Sequence, residues 1–294
     1  MGFLKALFSG KVETAEDLSK EKDAKKFDVL KYDGVRAMRT GQLPYAKECF
    51  LHALELQEDL EVREYLSDVL VRMGDIRGGL GQLQKLLTAE PDNIDLLLKS
   101  AHLYFMDEDY EQMAESCNRV LAMNANLPEA LYLQARAQEG LGNPVAAVAL
   151  LTQSIAQNES YGNAYLMRTG LLLKMGDAES AQKDVDYLLE HVEDNEDVFI
   201  MKARVEKALG HAEEALNYYN KVIDANPFCV EAFRERGALR LEQGDKEGAT
   251  EDMRTVLELD PQASAGVTGD FTGEGIEEKV RQAYRNIDPY GIFG

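Results

Sequence analysis

The chain has 294 residues, with 32 Lys or Arg against 53 Asp or Glu, so its formal net charge is −21. That sign works against phosphate-backbone binding, whose affinity comes from cationic side chains, and nucleic acid is not an expected partner. A hydrophobic content of 45% excludes a disordered chain, the length would hold about two ordinary domains, and no apolar run approaches the roughly 18 residues of a membrane span.

Residues 1–26 carry six Lys and five acidic residues, a net of +1 inside an acidic protein. Phe3, Leu4, Leu7 and Phe8 form a short apolar face beside Lys5 and Lys11. The stretch is too short for a signal-peptide core and lacks a small-residue cleavage site, and Ala6 stands where N-myristoylation needs Ser or Thr. Its few cations also weigh against membrane contact through residues 1–11, so the apolar face is expected either to cover neighbouring protein surface or to fray. Thr14 with Asp17 three residues later forms a capping-box pattern, so a polar helix is predicted from about Ala15.

From residue 27 the sequence is periodic. Gly41, Gly74, Gly142, Gly176, Gly210 and Gly244 are separated by 33, 68, 34, 34 and 34 residues, and the middle of the double interval falls on Glu108. Seven units therefore span about residues 27–263. Four of the glycines precede an Asx residue, at Asp75, Asn143, Asp177 and Asp245. Gly suits the left-handed end of one helix and Asx caps the next, so each unit reads as helix, turn, helix. Pro144 suits a first helical position.

Counted from the turn, small residues stand seven before it (Gly34, Ser67, Ala101, Ala135, Thr169, Ala203, Gly237) and, apart from Met113, five after it (Ala46, Gly79, Ala147, Ala181, Ala215, Ala249). These are predicted to be where two helix backbones approach. Nine after the turn come Phe50, Leu83, Cys117, Leu151, Val185, Tyr219 and Met253; thirteen after it come Leu54, Leu87, Leu121, Ile155, Leu189, Ile223 and Leu257. Being four apart, both series are predicted to face the core. Pro91, Pro227 and Pro261 close second helices. Gly78, Gly79 and Gly81 are expected to loosen the second helix of the second unit by about 1 kcal/mol each relative to Ala.

Beyond a Gly-rich connector, Ile276, Val280, Ala283, Tyr284 and Ile287 share one face of a predicted capping helix. The apolar tail 288–294 is read as extended, packing on the last unit or entering a groove of another copy.

No catalytic or metal-binding constellation emerges. His52, His102, His191 and His211 are isolated, and Cys49, Cys117 and Cys229 are an odd set without C-x-x-C, as suits a reducing, cytoplasmic setting. Gly79-Leu80-Gly81 and Gly273-Glu274-Gly275 lack the third glycine and the preceding strand of a dinucleotide fingerprint. No catalytic residue, cofactor or metal is expected, and Cys117 reads as a small core residue.

The 34-residue pattern, with its turn Gly, two small places, aliphatic places and closing Pro, resembles the tetratricopeptide repeat family. The resemblance implies an all-α, right-handed superhelical solenoid of about seven helix-turn-helix repeats, with 1–26 as an N-terminal extension, 27–263 as the solenoid and 264–294 as connector, capping helix and tail. Leu30, Arg63, Leu97, Leu131, Tyr165, Phe199 and Phe233 occupy the family's large aromatic place, where Arg63 departs most.

In that family the first helices line a concave groove, which implies groove positions for Leu98, His102, Phe105, Met106, Tyr132, Leu166 and Leu173, and for a basic streak at Arg136, Arg204, Lys207 and Arg234. The expected ligand is a protein or peptide, with Phe105, Tyr132 and Leu166 as anchors and Arg136, Arg204 and Arg234 pairing with acidic groups. Some members clamp a chaperone C-terminal carboxylate with Lys and Asn. Here Lys31 and Lys99 remain, but Val35, Tyr65 and Asp95 replace the other clamp residues. The expected function is a non-catalytic interaction scaffold or adaptor, the alternatives being a regulatory receptor for a small peptide, an enzyme-bound regulatory subunit or, less well supported, a co-chaperone. The sequence sets neither the partner nor the oligomeric state.

Overall fold

The computed structural model describes residues 15–193 and 195–260, and among them every regular element is a helix. The helices pair in chain order as α1 (Ala15–Arg39) with α2 (Leu43–Leu56), α3 (Leu60–Arg72) with α4 (Ile76–Ala89), α5 (Ile94–Met106) with α6 (Tyr110–Met123), and α7 (Pro128–Gly140) with α8 (Pro144–Gln157). Then follow α9 (Gly162–Lys174) with α10 (Ala178–His191), α11 (Glu196–Ala208) with α12 (Ala212–Ala225), and α13 (Val230–Glu242) with α14 (Lys246–Leu259). The chain is an all-α solenoid of helical hairpins, and α1 to α6 pack each on the next, as do α8 to α14. It forms two compact units: one runs to Ala125 and takes in Arg136–Leu141, and the other comprises Asn126–Ala135 and the chain from Gly142 onward. The expected polar lead helix and the first helix of the first hairpin are one continuous α1. The apolar face of residues 1–11, the capping helix and the tail lie outside the described residues.

Every turn falls where the period put it. The six turn glycines have φ between 76° and 85°, and Glu108 takes the same left-handed region at φ 58°. The following N–H closes the helix by donating five residues back, from Asp75 to the Leu70 carbonyl and from Asp109 to that of Tyr104, each at 2.9 Å. Glu108 thus holds a place that costs a side chain roughly 1 kcal/mol, and it makes no ion pair among the described residues in return. Glu108→Gly is expected to raise stability by about 1 kcal/mol in urea unfolding; an unchanged or lower value would show that the turn is not strained.

Asp75, Asp177 and Asp245 cap as expected, accepting from the N–H groups of Gly78, Ser180 and Gly248, and Asp109 does the same for Gln112. Asn143 makes no capping hydrogen bond; Pro144 begins α8 instead. The small residues seven before and five after the turns are all buried. A Cβ on Gly34 would stand 2.5 Å from Phe50 Cε1, and one on Gly79 would stand 2.6 Å from Val71 Cγ2. Gly79 is therefore required by helix approach rather than merely tolerated, and α4 runs unbroken through all three of its glycines.

One core assignment needs correction. The residues thirteen after the turn are only half-buried, except Ile155, whereas those twelve after it are buried throughout: Ala53, Leu86, Val120, Ser154, Leu188, Val222 and Val256. With about 100° of rotation per residue, places five, nine and twelve lie within about 60° of one another, while place thirteen has turned about 80° from place five. A polar Ser154 fits this face because its Oγ donates to the Pro128 carbonyl at 2.8 Å.

Candidate partner-binding face

In the first unit, α5 carries the predicted aromatic and apolar residues. Leu98 is buried, at 8% exposure, and works as core. His102 and Met106 are exposed, and Phe105 is half-buried, 6.2 Å from the Tyr110 ring, with the Arg136 guanidinium 3.5 Å above its own. Phe105 and Arg136, named separately from the sequence, form one cation–π pair. The same unit ties its lysines to acids: Lys31 to Asp59 and Glu61, and Lys99 to Glu64 and Asp68. Burial disfavours the charged form of Lys31, but its bonds to Glu61 and Asp59 outweigh this and raise its pKa.

In the second unit, Tyr132 is half-buried and meets Tyr161 edge-on with ring centroids 5.3 Å apart, and Leu166 and Leu173 pack on the core around Leu171 and Val205. Arg204 does not stand ready for a ligand carboxylate. Its Nε donates to Glu235 at 3.0 Å and its Nη2 to Glu231 and Glu235, while Lys207 pairs with Glu242 at 3.0 Å. These acids sit on α13, so the streak read as a ligand surface joins α11 to the next first helix. Tyr219 donates from its hydroxyl to Glu235 at 2.9 Å, and burial, then the Glu235 charge, pushes its phenol well above the ordinary range. Arg234 differs: it is half-buried, and its Nε is enclosed without a hydrogen-bond partner among the described residues.

Against this geometry the family is legible. Sequence models described as Tetratricopeptide repeat match residues 200–264 and 129–158. The chain is a tetratricopeptide repeat protein. A tetratricopeptide repeat protein from Parabacteroides merdae superposes with a TM-score of 0.69 at 19% identity, covering 89% of this chain and all of the other. The tetratricopeptide protein YrrB, reported to have an unusual peptide-binding site, gives 0.50 at 16% identity, covering 61% of this chain and 92% of its own. At these identities the likeness establishes the fold. Among curated proteins, Hsp70-Hsp90 organizing protein 3 of Arabidopsis thaliana is 23% identical over 207 residues, 68% of this chain; the match spans 36% of that relative's length. The tetratricopeptide fold serves protein–protein interaction and is generally a non-catalytic scaffold.

The repeats also carry buried polar sites that the glycine period did not reveal. Arg168 makes two bonds to Asp184, at 2.6 and 2.7 Å, and Arg236 makes the same pair with Asp252, at 2.6 and 3.1 Å. Lys202 reaches Asp186 and Glu206, both at 2.6 Å. The usable signal was opposite charge sixteen residues apart, repeated at a 68-residue interval. Cys117 is a core residue whose thiol burial pushes up to about 12, and burial, with a bond to Glu196, raises Cys229 to about 11. Neither thiol is a nucleophile at neutral pH.

Proposed function

We propose that this tetratricopeptide repeat protein is a non-catalytic adaptor that binds an acidic peptide or protein segment across the first-helix face, with Arg234 as its charged contact in the second unit. The observation that carries the reading is Arg234, half-buried on α13 with an Nε that has no hydrogen-bond partner among the described residues, in a protein of net charge −21, which leaves its guanidinium available to an acidic group at the surface. In the second unit the Tyr132–Tyr161 pair offers aromatic surface, and in the first unit Phe105 under Arg136 offers the same kind of surface. Leu98, Arg204 and Lys207 have supporting roles, because burial or an acid on the neighbouring helix already occupies them.

A chaperone-tail clamp draws less support. The name of the Arabidopsis relative ties that protein to Hsp70 and Hsp90, whereas here Lys31 and Lys99 are each held between two acids and Val35, Tyr65 and Asp95 break the clamp pattern. Three unpaired, buried cysteines suit work in a reducing compartment such as the cytoplasm. The test is fluorescence anisotropy with a set of acidic, neutral and basic peptides. Acidic peptides are expected to bind best, and Arg234→Glu to weaken them by about tenfold or more. Undiminished binding to that variant would remove Arg234 from the site.

A further inference from the structure

The tetratricopeptide period exposes a vacancy in the first unit. Eight residues before the turn, the last three hairpins carry a cation: Arg168, Lys202 and Arg236. Each lies between second helices and takes acceptors at fixed offsets. Arg168 donates to Thr152, sixteen residues before it, and to Asp184, sixteen after; Arg236 donates to Asn220 and Asp252 at the same two offsets; Lys202 donates to Asp186, sixteen before. The corresponding residue of α5 is Ser100, flanked at the same offsets by Gln84 and Ser116. At that place is a cavity of about 290 Å³ between α4 and α6, floored by α5 and lined among others by Gln84, Ser100, Tyr104, Glu115, Ser116 and Arg119.

The lining has a definite polarity. Ser100 and Ser116 are both buried, and each hydroxyl spends its only proton inside the protein, on the Leu96 carbonyl at 2.8 Å and the Gln112 carbonyl at 3.0 Å. Their oxygens therefore face the cavity as acceptors. Gln84 donates from Nε2 to the Tyr104 hydroxyl at 3.3 Å, which leaves its carbonyl oxygen as a further acceptor. Arg119 is the cation of the lining, and its Nη2 is spent on the Pro91 carbonyl. Glu115, at the exposed rim, makes no ion pair among the described residues and is the negative charge of the site. Acceptors on two opposing helices and one free carboxylate call for a cationic, multiply donating group, and the two arginine-filled hairpins show the planar fork bridging such a pair of helices.

We infer that the cavity between α4 and α6 is a docking pocket for a guanidinium group, the side chain of an arginine on a partner protein, which completes in trans the arrangement that Arg168 and Arg236 make in cis. The pocket is independent of the first-helix face, since Ser100 and Tyr104 lie on the side of α5 turned about 200° from His102. The whole molecule's negative charge favours approach of such a partner.

The probe is Nα-acetyl-arginine amide, titrated into the full chain by calorimetry, with the citrulline amide as its neutral counterpart. Saturable binding of the arginine amide at millimolar concentrations is expected, with the citrulline amide about tenfold weaker. Ser100→Arg combined with Ser116→Asp rebuilds the cis pair; it should keep the helical circular-dichroism spectrum and abolish binding. Glu115→Gln, at an exposed site that leaves the fold intact, should weaken binding several-fold and carries the test if the double variant fails to fold. Equal affinity for the two amides, full binding to either variant, or no saturation up to about 20 mM overturns the inference. Arg234→Glu should leave this binding unchanged, so its failure and that of the first-helix face are read separately.

Discussion

Asp252→Ala is expected to destabilise the protein by about 3–5 kcal/mol in urea unfolding, far beyond an ordinary surface substitution. Asp252 is 1% exposed and holds two cations, Arg236 through two bonds and Arg240 at 3.0 Å. Removing the carboxylate strands both guanidinium groups where water has little access, so the cost is that of uncompensated buried charge. Removing the pair together is a different matter. Arg236→Met with Asp252→Leu takes out the carboxylate and the cation it holds by two bonds, leaving Arg240 with Asp245 at 3.8 Å, and should cost well under half as much as Asp252→Ala alone. A loss within about 1 kcal/mol for Asp252→Ala would mean that the pair is solvated in solution.

The second large effect is expected at Glu235. This carboxylate accepts from Arg204 on α11 and from the buried hydroxyl of Tyr219 on α12, so one side chain satisfies two groups from two helices. Glu235→Ala should cost about 3 kcal/mol, moderated by Glu231, which still pairs with Arg204. The link to Tyr219 is separable. Tyr219→Phe in the wild-type background removes a satisfied hydroxyl, whereas in the Glu235→Ala background it removes an orphaned one and should restore about 1 kcal/mol. Additive losses in this double-mutant cycle would show that the hydroxyl and carboxylate are uncoupled. The same cycle bears on binding, because Arg204 meets a ligand only by leaving these acids.

Much of this was legible from residue spacing. The turn glycines located every hairpin, including the one whose turn residue is Glu108, because a left-handed closure is a backbone demand that recurs wherever the helices must reverse. The small residues at Gly34 and Gly79 were legible for a similar reason: a Cβ there would collide with Phe50 or Val71. The face of the second helix was read less well. Leu54 and Leu87 carry the right chemistry but pack half-buried at the edge of the core, and Ser154, polar as it is, is buried beside Ile155.

Charge was the least legible quantity. A run of cations such as Arg204, Lys207 and Arg234 looks uniform in one dimension, yet two of them are bound to acids one repeat later while the third keeps an enclosed, unpartnered nitrogen. By itself the sequence determined the helical hairpin, its period and its turns, because these rest on local backbone geometry and on steric limits that recur every 34 residues. Only the tertiary structure decided which charges are spent within the protein and where the space opposite Ser100 stands open, because ion pairing and cavity volume depend on side chains that meet across neighbouring repeats.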